Sequence, residues 1–285
     1  LIMLAAAAQD ADREFSFNEQ EFRYIADLVK TKTGIVLADH KKNMVYSRLA
    51  RRLRALRLES FEAYCSFLES GDSEDEMGMF INAITTNLTR FFREPHHFDH
   101  LAEKMSEQFG NAPTASRIRI WSAGCSSGEE PYSVAMTMAE SLTRLSAYNF
   151  RILATDLDTS MVANATAGRY RLRDAEGLSK ARLAKWTIQD RSRNEMTIKQ
   201  GLRDLITFKQ LNLLHDWPMK GKFDAIFCRN VMIYFDGPTK DRLLNRFHSC
   251  LAPGGWLYIG HSETILEQRD QLIPMGKTIY RKALR

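Results

Sequence analysis

Between Ile118 and Tyr132 the chain reads IRIWSAGCSSGEEPY, and the order of residue types there can do chemistry. Three apolar residues in four (Ile118, Ile120, Trp121) predict a buried strand, followed by a turn of small residues and a helix start. Gly124 and Gly128, with Ser122, Ala123, Ser126 and Ser127 around them, let the backbone turn tightly and approach a ligand closely. A second apolar run, FRILAT, ends in Asp156, 28 residues after Gly128, which is one helix plus one strand further on. In such a βαβ unit, an acid at the tip of the second strand can hold a ribose by its hydroxyls.

The rest of the turn narrows the nucleoside cofactor. No GxGxxG fingerprint is present, because the turn reads Gly-Cys-Ser-Ser-Gly and runs into Glu129-Glu130-Pro131. Two acids at a helix N-terminus suit the helix dipole but repel a pyrophosphate, and no Gly-Lys-Ser or Gly-Lys-Thr loop occurs. A nucleoside without phosphates fits better, and S-adenosylmethionine, which carries a positive sulfonium, is the expected cofactor. The Pro-Gly-Gly turn of LAPGGWLYIGHSE, feeding an apolar strand, resembles the approach to strand five of Rossmann-like methyltransferases.

The elements that must position these residues fall into two regions. Residues 17 to about 90 read as helices: Phe17, Phe22, Ile25, Leu28 and Val29 share one stripe ended by Gly34. A second helix, 38–58, turns Met44, Val45, Leu49, Leu53 and Leu56 inward, and 59–69 and 74–85 supply two more. From residue 117 strands and helices alternate, which implies a parallel sheet covered on both faces. The alternation breaks between Gly168 and Phe208, where MTIKQ and LITFKQL are expected to form a small inserted antiparallel unit, about 174–208. It resumes with FDAIFC, a helix from 239 to 250, WLYIG and a last strand KTIYRKAL.

Composition sets the outer limits. The 285 residues, 44% hydrophobic and 26% charged, are ordinary globular material with a net charge of +5. Cys65, Cys125, Cys228 and Cys250 lack CxxC spacing, which argues against a zinc ribbon or disulfide framework and for a reducing compartment. No apolar run reaches the roughly 18 residues of a membrane span. Residues 1–16 have a short apolar patch with no basic segment before it, and are expected to be a flexible tail rather than a signal peptide.

With these pieces placed, the chain resembles the bacterial chemotaxis receptor methyltransferases, the CheR family. The resemblance rests on ITTNLTRFFREPHHF (84–98), SAGCSSGEEPYS (122–133), ATDLD (154–158), LNLL (211–214), FDAIFCRNVMIYFD (223–236) and LAPGGWLYIGHSE (251–263), in the family's order and spacing. It implies an α/β architecture: an all-helical N-terminal domain (17–90), then a Rossmann-like S-adenosylmethionine-dependent methyltransferase domain (91–285) with a small antiparallel β-subdomain inserted. It further implies methyl transfer to glutamate side chains on the cytoplasmic helices of methyl-accepting chemotaxis receptors, with S-adenosylhomocysteine as product. The location expected is the cytoplasm, and the state expected is a monomer.

Residue by residue, the resemblance carries cofactor contacts onto Asn87, Thr89, Arg93, Glu130, Asp156, Asn212, Leu213, Arg229 and Asn230, with Gly124 in the turn. Glu130 either holds the cofactor's amine or complements the helix dipole, and Asn212 either pairs with adenine or merely turns the chain. Arg93 and Tyr234 are expected nearest the chemistry. A glutamate side chain ordinarily titrates near pH ~4.3 and is ionised at pH 7, so the reaction needs no general base. It needs a carboxylate aligned behind the sulfonium methyl, and a guanidinium can grip a carboxylate bidentately, whether the substrate's or the cofactor's. Tyr234 either lines that pocket or is a half-buried core aromatic.

Two charged features remain. His96, His97 and His100 look like ligands but lack an accompanying acid or Cys cluster, so they are expected to cover a helix, with no metal bound. The second helix carries Lys41, Lys42, Arg48, Arg51, Arg52, Arg54 and Arg57 against one acid, Asp39. Such a one-signed run favours an acidic partner, and in the family this helix faces the glutamate-rich receptor helices, which assigns receptor binding to Arg48, Arg51, Arg52 and Arg54. Nucleic acid is not expected: Arg-Asn-Val-Met follows the fourth strand where amino-methylating enzymes carry an Asn/Asp-Pro-Pro loop, and no aromatics interleave the basic residues. The segment Gln189 to Glu195 has no glycine, whereas relatives that grip a receptor's C-terminal tail use a glycine-containing loop there; recognition is expected to rest on the basic helix.

Overall fold

The computed structural model describes residues 13–70, 73–263, 265 and 271–284. By internal contacts the chain forms two units, residues 1–86 with 234–236, and residues 87–233 with 237–285.

The first unit is helical: α1 (Glu19–Thr33), α2 (Lys42–Leu56, after a 3₁₀ turn at Asp39–Lys41), α3 (Phe61–Glu69) and α4 (Glu74–Ile84). Phe17 does not open α1 as the periodicity suggests. Asn18 caps the helix, accepting from the Glu21 N–H at 2.9 Å while the Glu21 carboxylate accepts from the Asn18 N–H at 2.7 Å. Phe17 then packs on Phe22 from just outside the cap, their rings 6.3 Å apart, which fixes the angle at which the chain enters the helix. Phe22, Ile25, Val29, Val45, Leu49, Leu53, Phe61, Tyr64 and Phe80 fill the core, each burial contributing about 1.5–3 kcal/mol before chain entropy is subtracted. Of the expected tail, residues 1–12 lie outside the described residues. Residues 13–16 are a correction: Phe15 is buried against Phe61 and Glu14 pairs with Arg54, because a single large aromatic ring gains from burial on the helical core.

The second unit is built on a seven-stranded sheet of β1 (Arg117–Ala123), β2 (Asn149–Asp156), β6 (Ile206–Gln210), β7 (Phe223–Cys228), β8 (Leu251–Ile259), β9 (Leu272–Pro274) and β10 (Ile279–Lys282), ordered β6-β2-β1-β7-β8-β10-β9. The first five are parallel, and β10 runs antiparallel to both its neighbours. Alternation along β1 sends Ile118 and Ile120 into the larger core while Trp121 meets Trp217 and Phe247 on the opposite face, so both faces are covered. The chain runs outward from β1 through β2 to β6 and returns to β7. The order therefore reverses between β1 and β7, which opens a crevice beyond the carboxyl ends of those strands.

The break in alternation holds a different strand from the one expected. LITFKQL supplies β6, the edge of the main sheet, paired in parallel with β2 from Ile152↔Ile206 to Asp156↔Gln210. The small sheet instead joins β3 (Arg169–Arg171), β5 (Glu195–Ile198) and β4 (Thr187–Asp190), so it begins before residue 174 and ends before 206. Apolar content cannot distinguish a parallel edge strand from an antiparallel one, and three-residue β3 is too short to give a period. The β4–β5 turn manages without glycine: Asp190 accepts the N–H groups of Ser192 and Arg193, and Asn194 takes the left-handed φ of 55°.

Candidate active site

The turn after β1 is set by two contacts that leave no room for a side chain. The N–H groups of Gly124 and Cys125 both donate to the Thr155 carbonyl, at 2.8 and 2.9 Å, so the turn folds back over the tip of β2. Gly124 has a φ of +87°, and a Cβ there would lie 2.4 Å from Cγ2 of Val231, on the loop after β7. Gly128, with a φ of +99°, caps the next helix, α6 (Glu129–Ser141).

Asp156 sits where the βαβ reading places it, at the end of β2. Its Oδ2 accepts the Ser126 N–H at 2.7 Å and its Oδ1 the Asp158 N–H at 2.9 Å. Burial holds its carboxyl above the ordinary value, against the lowering effect of these backbone donors. An ionised carboxylate has about four acceptor sites, more than its backbone donors use, so capacity remains for hydroxyls. Asn87 joins the same cluster: its Nδ2 donates to Asp158 Oδ2 at 2.8 Å, and its carbonyl accepts from the Ser126 hydroxyl at 2.8 Å. The N–H of Leu211, after β6, donates to the Asp156 carbonyl at 2.9 Å, which brings Asn212 and Leu213 to the same edge. Asn212 serves its own turn, with Oδ1 accepting the Leu214 N–H at 2.9 Å, and Leu213 is buried beneath it.

A second cluster centres on Arg229, at the end of β7 and almost wholly buried. Its Nη1 lies 3.4 Å from Glu130 Oε2 and its Nη2 3.5 Å from Glu94 Oε2, and it also donates to the Arg93 carbonyl. Glu130 is held from its other side by the Ser122 hydroxyl at 2.7 Å. Burial raises the Glu130 carboxyl and Arg229 with Ser122 lowers it, leaving it above the ordinary value. At Glu94 burial is outweighed by Arg229 and His261, and the carboxyl stays below. A wholly acidic site would repel a carboxylate, and Arg229 offsets part of that charge.

Arg93 is half-buried and its guanidinium donates to the Leu88 carbonyl at 3.1 Å, closing the loop that also carries half-buried Thr89. Asn230 follows Arg229 with a left-handed φ of 59°. Tyr234 belongs by its contacts to the helical unit, where its carbonyl accepts the Val36 N–H at 2.8 Å.

The acid expected to be missing from the histidine group is Glu94: one ligand atom each of Glu94, His96 and His97 lies within 4.8 Å of the others. Arg229 shares its positive charge between Glu94 and Glu130, which works against a further cation at Glu94. His97, fully buried in α5 (His96–Phe109), is pushed down to about 3 by burial and by Arg229. His100 reaches the Tyr258 hydroxyl at 3.0 Å. No sequence-based role falls on Glu94, Ser126 or Asp158, although all three lie inside the motifs that carry the resemblance.

The basic run on α2 is only partly a free surface. Arg48 donates to the Ile84 and Thr85 carbonyls at 2.6 and 2.7 Å, capping the end of α4. Arg52 forks onto buried Glu76, at 2.9 and 2.5 Å, with the Tyr64 hydroxyl also donating to Glu76. Arg48 and Arg52, both expected to bind the receptor, thus have intramolecular partners distant in sequence. Arg51 is exposed, and Arg54, also exposed, pairs with Glu14.

Known proteins resemble this chain over most of its length. The family model of the CheR methyltransferase all-alpha domain matches residues 20–85, and that of the CheR methyltransferase SAM binding domain matches residues 87–281. A chemotaxis protein methyltransferase of Salmonella typhimurium is 42% identical over 271 residues, 94% of this chain and 92% of the relative. The Escherichia coli chemotaxis protein methyltransferase is 41% identical over 93% of this chain and 91% of its own. Chemotaxis protein methyltransferase 2 of Pseudomonas aeruginosa is 41% identical over 95% and 96%.

Proposed function

The chain belongs to the CheR methyltransferase family and is an S-adenosylmethionine-dependent methyltransferase of chemotaxis, and on that premise we propose that it esterifies glutamate side chains on the cytoplasmic helices of chemoreceptors. The observation that carries the cofactor half is the Asp156 carboxylate beside a phosphate-averse turn, with Glu129 and Glu130 at the start of α6. When bound, S-adenosylmethionine supplies a methyl group activated by its sulfonium. Asp156 holds the ribose hydroxyls, Glu130 the amine, and Asn212 with Leu213 the adenine edge and face. Thr89 and Asn230 complete the cofactor wall.

The acceptor half follows from charge. A receptor glutamate arrives ionised, so no side chain of this protein has to remove a proton. Arg93 aligns the carboxylate, its guanidinium exchanging the Leu88 carbonyl for the ligand. The exposed part of α2, Arg51 and Arg54, draws in the acidic receptor helices. No described helix is long and apolar enough to cross a membrane, and the protein is proposed to meet its receptors from the cytoplasm as a monomer.

Incubation with labelled S-adenosylmethionine and acidic receptor helices tests this directly. Base-labile methyl esters should form, and should vanish when the receptor glutamates are replaced by alanine. Label in a base-stable product, or in nucleic acid, would overturn the reading.

A further inference from the structure

Glu263 stands outside every motif role above, yet it makes a concentrated set of contacts. It is buried, 5% exposed, in the turn after β8. Its Oε2 accepts the N–H groups of Gly260 and Asn230 at 2.5 and 2.9 Å, and its Oε1 those of Val231 and Ile233, both at 3.1 Å. One carboxylate thus takes four main-chain donors, three of them from the segment that follows Arg229. That segment has no ladder of its own: Asn230 turns left-handed, and β7 has ended at Cys228.

The surroundings are fitted to this grip. A Cβ on Gly260 would come 2.4 Å from Asn230 Nδ2, 2.7 Å from Asn230 N and 2.8 Å from Glu263 Oε2. On its far side, the held loop presents Val231 against Gly124 of the cofactor turn. Buried backbone donors must be paired, so without Glu263 the loop would open to water and release both Asn230 and the backstop of Gly124.

We propose that Glu263 is a positioning residue for cofactor binding: it holds the 230–233 loop by its backbone, and through that loop sets Asn230 and the Gly124 turn. The inference rests on the reading that this loop walls the cofactor site. Only a carboxylate suits the task. A glutamine would offer one acceptor oxygen and turn an NH₂ group toward the other pair of donors.

The test uses the full chain. In wild type, NMR amide exchange at Asn230, Val231 and Ile233 should be as slow as within β7, although these residues lie in a loop. Exchange at free-loop rates overturns the inference, whether or not any variant folds. In folded Glu263→Gln those amides should exchange faster while β1 and α6 stay protected. S-adenosylhomocysteine should bind roughly tenfold or more weakly, with the cofactor KM rising and kcat at saturation nearly kept. A purely structural role would lower Tm and leave KM in place, and that result overturns the inference. Asn230→Ala separates the two readings. If it weakens the cofactor while Glu263→Gln does not, the inference fails alone; if Asn230→Ala is silent, the loop is not a cofactor wall and the inference falls with that reading.

Discussion

The Asp156 carboxylate accepts the backbone N–H of Ser126 at 2.7 Å, so the tip of the second strand is tied to the turn that follows the first. One side chain thereby shapes the turn and, in the role proposed for it, holds the ribose, so its loss should be felt twice. Asp156→Ala is expected to weaken S-adenosylhomocysteine binding by about 1–3 kcal/mol, from unpaired hydroxyls and a loosened turn. Calorimetry on the folded variant decides it, and unchanged affinity would remove Asp156 from the cofactor site.

Arg93 should behave as an aligning cation. Arg93→Ala is expected to cut receptor methylation severely, by roughly a hundredfold or more, and Arg93→Lys to recover only part of it because the two-pronged grip is lost. Far-ultraviolet circular dichroism should be unchanged, since the present partner of the guanidinium is an accessible loop carbonyl. Wild-type turnover in the alanine variant would sink the assignment.

The arginines of α2 should separate by role. Charge reversal at exposed Arg51 is expected to lower receptor methylation, more steeply at low salt, without moving Tm or cofactor affinity. Arg52→Ala should act on stability instead, by about 2–4 kcal/mol in urea melts, because Glu76 is left buried with the Tyr64 hydroxyl alone. Equal Tm losses for both variants would contradict the division.

His97 gives a pH signature. Its folded value is about 3 against an ordinary 6.5, so the native state keeps it neutral while the unfolded chain takes up a proton below about 6.5. The stability it contributes is therefore complete above that pH and is lost as pH falls toward 3, at up to ~1.4 kcal/mol per pH unit. Urea melts at pH 7 and pH 5 should show a larger drop for wild type than for His97→Gln. Identical slopes would mean that His97 is not held neutral.

The local chemistry of the cofactor turn was legible in the sequence, because Gly124, Gly128 and Asp156 are bound by short-range geometry: a tight turn, a helix start and one βαβ crossover. The helical core was legible for the same reason, as a 3.6-residue period needs only neighbours. Pairing was not. Whether LITFKQL completed the small sheet or edged the large one depended on which strand lay beside it, and β2 claimed it. Charge was not either. Arg48 and Arg52 looked free because their partners, the end of α4 and Glu76, lie far away along the chain. Glu94 and Glu263 were silent letters until the fold set one against Arg229 and the other beneath four backbone donors. A sequence determines what a residue can offer within a turn or two. Long-range packing decides who receives it, since burial and hydrogen-bond partners are properties of the neighbours that folding brings together.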